Sequence, residues 1–191
     1  QLVEARIRRV EDFGWGAALI VIGLFEKVVL ADGLLAPVVE KIYAVTPDTT
    51  GLDAWIGTLA FSGQIFFDFN GYSVIAVGLA KCLGFQVPWN FLSPYASIGF
   101  SDFWRRWHVT LSAWLRDYLY ISLGGSRRGR ARTYVNLALT MLLGGLWHGA
   151  SWLFVLWGAA HGALLILERF FRHIFGGVAV LQTTAARVLL G

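Results

Sequence analysis

The chain has a single cysteine, Cys82, which excludes an internal disulfide and a thiolate metal site. Charge is scarce: Asp, Glu, Lys and Arg make up 15% of its 191 residues, where soluble domains carry about 25%. Familiar catalytic signatures are missing as well. There is no Gly-x-Ser-x-Gly elbow, no Gly-Lys-Ser/Thr phosphate loop and no His-Glu-x-x-His pair. Covalent serine hydrolysis, nucleotide hydrolysis and zinc proteolysis are therefore poor readings. The histidines, His108, His148, His161 and His173, lack the spacing of a metal cluster, so no metal is expected. Neither an internal repeat nor a secretory signal pattern is present.

What is abundant is apolar. Hydrophobic residues reach 57%, and the mean hydropathy is +0.60. Nine Trp and fourteen Phe suit membrane interfaces and tight helix packing. Twenty-two Gly suit close approach of membrane helices. The alternative is an unusually apolar soluble domain. The net charge of +4 comes in arginine clusters beside apolar runs. That pattern reads as cytoplasmic loops facing anionic lipid, and nucleic acid is not expected as a partner.

These features predict an all-α, polytopic membrane chain with one amphipathic interfacial helix. Residues 1–12 form a basic lead-in. The run from Phe13 to Ala31 is long enough to span a core of roughly 30 Å, with Glu26 and Lys27 snorkelling at its far end. Residues 32–53 read as a loop with a short helix. A second apolar stretch, Ala54 to Leu83, carries Gln64, Asp68 and Asn70 near its middle. Asp68 is either a functional intramembrane carboxylate or part of a polar helix contact; both readings stand. Pro88 and Pro94 break the pattern between 88 and 100.

From Ser101 to Ser122 the pattern is helical. Turned at about 100° per residue, Phe103, Trp104, Trp107, Leu111, Trp114, Leu115, Tyr118 and Leu119 share a sector of about 160°. Asp102, Arg105, Arg106, Arg116 and Asp117 lie opposite. Asp102 also suits a first helical turn. His108 falls at the edge of the aromatic sector. After a Gly/Arg loop at 124–132 come two short apolar runs, 133–146 and 152–167. The first, with about 14 residues, rises only about 21 Å, too little for a straight span. A hairpin with both basic ends on one face follows, its tip at Gly145-Leu146-Trp147-His148-Gly149 within the membrane. Irregular backbone there must be buried in protein or line a cavity, so His148 is expected to look into an internal chamber. Burial keeps an imidazole neutral near pH 7, fit to take a proton from an alcohol attacking a thioester. His108 and Asp68 are candidates to orient it or to hold an oxyanion. His161 reads as a satisfied core histidine and His173 as an exposed interfacial one.

Three ordered stretches carry a resemblance. They are Gln64-Ile65-Phe66-Phe67-Asp68-Phe69-Asn70-Gly71-Tyr72-Ser73, Ser101-Asp102-Phe103-Trp104-Arg105-Arg106-Trp107-His108 with its continuation to Tyr120, and Gly144-Gly145-Leu146-Trp147-His148-Gly149-Ala150-Ser151-Trp152. Together they resemble the membrane-bound O-acyltransferase family, and within it the bacterial alginate O-acetyltransferase branch, related to the D-alanyl transfer protein of teichoic acid. The resemblance runs from about residue 1 to about residue 175, with its motif-bearing core at about 54–175, and treats 1–191 as a single membrane-embedded domain. Asn70 stands where the family usually has Ser, Val74 where Asp is common, and Ser122 where Pro is usual.

The resemblance implies a central chamber in which an acyl thioester such as acetyl-CoA meets an acceptor hydroxyl, with no resident cofactor. It maps the catalytic histidine onto His148 and the second polar position onto His108. Asp68, Asn70, Trp147 and Asp102 are implied support; Arg105, Arg106 and Arg116 are expected to contact donor phosphates or lipid. Implied partners are membrane lipid, a polysaccharide acceptor and periplasmic acetylation or export proteins. The implied location is multi-pass in the bacterial inner membrane. Family members are longer, so the chain is expected to be a central fragment with further spans before Gln1 and after Gly191. Two rival readings are a transporter or channel fragment and a non-catalytic acyl-transfer scaffold.

Overall fold

The computed structural model describes residues 10–44 and 50–175; the basic lead-in before residue 10 and the segment 176–191 lie outside the described residues. Within them every regular element is helical and no strand occurs. The chain divides into two compact units, Gln1–Asn90 and Phe91–Gly191.

In the first unit, α1 (Val10–Leu24) runs into a π-helical stretch, Phe25–Leu35, and then into α2 (Ala36–Tyr43). The helical path thus continues through most of the expected loop, with Pro37 in the first turn of α2, where a missing N–H costs nothing. The long helix α3 (Gly51–Cys82) opens with a capping box. Thr50 N–H donates to Asp53 at 2.8 Å, and Asp53 N–H donates to Thr50 Oγ1 at 3.2 Å; such a cap is worth about 1 kcal/mol. It closes at Gly84, whose φ of 82° lets Phe85 N–H reach back to the Ala80 carbonyl at 2.7 Å.

α1 and α3 lie antiparallel. A methyl on Gly23 would collide with the Gly71 carbonyl, and one on Gly78 would meet the Gly16 carbonyl at 2.6 Å. Side chains this small let backbones touch, and between membrane helices that contact replaces hydrophobic attraction. The same register carries Glu26 and Lys27 opposite the middle of α3. Lys27 is ion-paired to Asp68, and Asn70 Nδ2 donates to Glu26 at 2.7 Å. The expectation of two snorkelling anchors is therefore corrected: both charges are held by polar partners on α3. Lys27→Met in the full-length protein removes that neutralisation and leaves Asp68 charged at the centre of a span, a cost of about 3 kcal/mol. A lower yield of inserted protein is expected, and Lys27→Met with Asp68→Leu is expected to restore it; equal yields for all three forms count against the pairing.

In the second unit, an irregular segment with a single 3₁₀ turn at Pro94–Ala96 leads into α4 (Phe100–Arg106), α5 (Val109–Trp114) and a second π-helical stretch, Leu115–Tyr120. The predicted continuous helix from 101 to 122 is therefore broken at Trp107-His108. Trp107 is extended and His108 left-handed, with φ 42° and ψ 57°. The break turns the later aromatics out of the predicted sector, leaving Trp114 and Tyr118 exposed while Leu111 and Leu115 stay buried.

α6 (Arg130–His148) and α7 (Trp152–Phe175) form an antiparallel hairpin. Both exceed the runs read from hydropathy. α6 has 19 residues, a rise of about 28 Å, so it is not too short to cross. Its polar first turn, Arg130 to Arg132, had masked that length. Among the described residues α3 and α7 are the helices long and apolar enough to cross a membrane. Their exposed faces are correspondingly apolar, with Leu59, Trp152 and Leu153 more than two-thirds bare, at 68%, 82% and 76%. Lipid or further protein, not water, suits such surfaces.

Candidate active site

His148 is the last residue of α6, so the break comes after it, at Gly149–Ser151, and not around it as the sequence suggested. Its Nδ1 lies 2.7 Å from the carbonyl of Gly144, one turn back. A carbonyl only accepts, so Nδ1 carries the proton and donates. In the neutral ring Nε2 then holds the lone pair. The backbone thereby sets the tautomer that a general base needs.

The ring sits in an aromatic frame. Trp147 meets it edge-on at 5.1 Å, Trp157 lies tilted at 5.1 Å and Phe154 stacks at 6.2 Å. Trp157 and Phe154 come from α7, and close helix contacts at Gly145 and Gly158 bring them there. A methyl on Gly145 would strike the Phe154 carbonyl and sit 3.1 Å from the Cα of Gly158. The remaining face of His148 is exposed. The expected chamber is therefore not closed by the described residues.

His108 belongs to the same unit and caps α5. A left-handed backbone at a non-glycine residue costs roughly 1–2 kcal/mol, and it aims the side chain where a continuous helix would not. His108 lies outside the spanning helices, and its pKa is below the ordinary histidine value. Burial is the main cause. His108 and His148 thus lie in the same compact unit, and burial favours the uncharged form of the His108 ring.

Other side chains fix that arrangement. The irregular segment packs Phe91 edge-on to Trp107 at 4.9 Å, and Leu92 N–H donates to the Arg106 carbonyl at 2.9 Å. Asp102 accepts from Ile98 N–H at 3.2 Å and Arg106 Nε at 2.9 Å. Burial disfavours its charge, but these two partners and Arg105 outweigh it and hold the carboxyl below the usual range. Asp102 is thus a fold-holding group at the head of α4. Glu168 on α7 accepts from Ser101 N–H at 2.7 Å and pairs with Arg172 at 2.7 Å, pinning the start of α4 to α7. Buried Asn136 donates to the Gly125 carbonyl at 2.9 Å and ties the glycine turn to α6.

The remaining expected residues fall elsewhere. Asp68 and Asn70 belong to the first unit, engaged with Lys27 and Glu26. Arg105 is exposed, its Nε donating to the Ser101 carbonyl at 3.2 Å, and Arg116 is paired with Asp117 at 2.7 Å. His161 is not a satisfied core histidine: its buried Nδ1 has no partner among the described residues, although its ring packs on Trp157 at 4.7 Å and Trp104 at 5.3 Å. Glu168 and Asn136 had been missed. Glu168 stands one residue past the apolar run 152–167, with no local sign of a partner, and Asn136 is a lone amide in an apolar run whose signal is that no neighbour in sequence satisfies it. Among the described residues no group of three metal-ligating side chains is found.

Comparison with known proteins gives a consistent set of matches. The sequence model of the membrane-bound O-acyltransferase family matches residues 10–188. The chain is 52% identical over 167 residues to the "Probable alginate O-acetylase AlgI" of Azotobacter vinelandii, covering 87% of this chain and 33% of that protein. It is 43% identical over 158 residues to the "Peptidoglycan O-acetyltransferase" of Helicobacter pylori, covering 83% and 30%. It is 29% identical over 163 residues to the "Teichoic acid D-alanyltransferase" of Bacillus subtilis, covering 82% and 41%. The chain thus spans about a third of the length of the first two relatives.

Proposed function

Because this chain belongs to the membrane-bound O-acyltransferase family, we propose that it is the histidine-bearing part of a multi-pass inner-membrane enzyme. That enzyme acetylates hydroxyl groups of an exported polysaccharide such as alginate. The observation that carries the reading is the bond from His148 Nδ1–H to the Gly144 carbonyl at 2.7 Å, which leaves Nε2 as the basic atom.

The proposed chemistry follows from that atom. Nε2 takes the proton of a sugar hydroxyl as its oxygen bonds to the carbonyl carbon of an acetyl thioester, acetyl-CoA or another acyl carrier. The carbonyl oxygen gains negative charge, and neutral His108 donates to it. Collapse breaks the C–S bond, and the departing thiolate takes the proton from Nε2. The products are an acetyl ester and a free thiol, and His148 returns to its starting state. General-base assistance of this kind contributes about 10²–10⁴-fold. The aromatic frame holds the ring on the faces turned to Trp147, Phe154 and Trp157. Membrane lipid surrounds the protein, and periplasmic acetylation or export proteins receive the modified polymer.

The test uses the full-length protein, purified and supplied with isotopically labelled acetyl thioester and an acceptor oligosaccharide. Labelled ester on the sugar is expected without any added protein. Transfer that appears only with a second protein overturns the catalytic reading in favour of a scaffold. Unchanged acetylation of the host polysaccharide on deletion of the gene overturns the assignment of acceptor.

A further inference from the structure

A cavity of ≈ 230 Å³ lies among α4, the π-helical stretch Leu115–Tyr120, α6 and α7. Trp104 and Tyr120 both line it, and both carry a polar atom, Nε1 and the hydroxyl, that is buried without a hydrogen-bond partner among the described residues. Orphaned buried donors are rare in folded proteins and call for an explanation. An indole N–H only donates, so the atom that satisfies Trp104 is an acceptor. Leu137, Met141 and Leu165 give the same cavity an apolar side.

Arg169 stands at its edge and also lines two further cavities of ≈ 240 and ≈ 280 Å³, one with Arg130 and His173 and the other with Arg172. Arg116 is committed to Asp117 and Arg172 to Glu168. Arg169 is exposed, and its side chain has no ion pair or hydrogen bond among the described residues. The cavity runs from the middle of the α6–α7 hairpin, at Met141 and Leu165, towards its open end at Arg169, where the basic residues gather.

We propose that this cavity binds an anionic phospholipid. The phosphodiester sits on Arg169, the glycerol ester carbonyls accept from Trp104 Nε1–H and Tyr120 OH, and an acyl chain follows Leu137, Met141 and Leu165. Basic pockets between membrane helices are suited to such headgroups. A nucleotide-bearing thioester also offers phosphate and carbonyl oxygens. The one uncommitted arginine lining this cavity matches one phosphodiester better than several phosphates, and an apolar side suits an acyl chain. The proposal rests on the membrane environment of the family and not on the chemistry at His148.

The full-length protein is purified in detergent, stripped of lipid and titrated with phosphatidylglycerol or phosphatidylcholine under native mass spectrometry. Phosphatidylglycerol is expected to bind at least about tenfold more tightly, and Arg169→Gln is expected to remove most of that preference. Trp104→Phe with Tyr120→Phe keeps the rings, removes both donors and is expected to weaken the bound lipid by about tenfold or more. Thermal unfolding runs alongside: phosphatidylglycerol raises the midpoint of the wild type and not that of Arg169→Gln. Equal binding of the two lipids, or binding unchanged in both variants, overturns the proposal and leaves an ordered water as the occupant. Displacement of the lipid by acetyl-CoA also overturns it, and assigns the cavity to the acyl donor.

Discussion

His148→Ala in the full-length protein is expected to lower kcat/KM for acetyl transfer by about 10²–10⁴-fold, the contribution of a positioned general base. The loss falls on kcat, because the imidazole acts as the proton moves and does little to hold the ground state. His148→Gln is expected to be as inactive: an amide fills similar space but cannot take a proton at neutral pH. Folding is expected to survive both changes. The α6–α7 contact is made by Gly145 and Gly158, and His148 lies beyond it at the end of the helix. Labelled-acetyl kinetics beside a thermal unfolding curve check both parts. Retained transfer in either variant removes His148 from the role of base.

Gly145→Leu is expected to be the most damaging single change to the hairpin. Even a methyl at this position collides with the Phe154 carbonyl and approaches the Gly158 backbone. Backbone atoms cannot rotate aside as a side-chain tip can, so the helices must separate. Overpacking of this kind costs about 1–3 kcal/mol. Separation also carries Phe154 and Trp157 away from the His148 ring, so the variant is expected to lose activity together with thermal stability. Gly145→Ala is expected to show a smaller loss of both. Full stability and activity in Gly145→Leu would mean that the helices do not touch at this point.

The sequence conveyed the composition-level architecture and the family, because hydropathy and ordered motifs are local signals. It conveyed less wherever the outcome depends on a distant partner. Glu26 and Lys27 looked like anchors because nothing adjacent to them reveals Asn70 and Asp68, more than forty positions away. The stretch from Ser101 to Ser122 kept a helical period across a point where the backbone breaks, since periodicity registers side-chain type and not φ. His108 is one of two non-glycine residues with positive φ among the described residues, and its chemistry gave no warning of that. α6 was read short because arginines in its first turn resemble loop residues. Glu168 serves α4 across a separation that no window along the chain connects.

The tautomer of His148 rests on a main-chain oxygen, where many enzymes use a carboxylate side chain for the purpose. A main-chain atom is present whatever residue occupies position 144. Under the proposed mechanism the walls around the ring can therefore be redrawn by substitution while the imidazole keeps its proton on the same nitrogen. In such a site acceptor choice and proton transfer are separable in evolution, and a designer aiming at new substrates has the aromatic frame to alter and the last turn of α6 to leave alone.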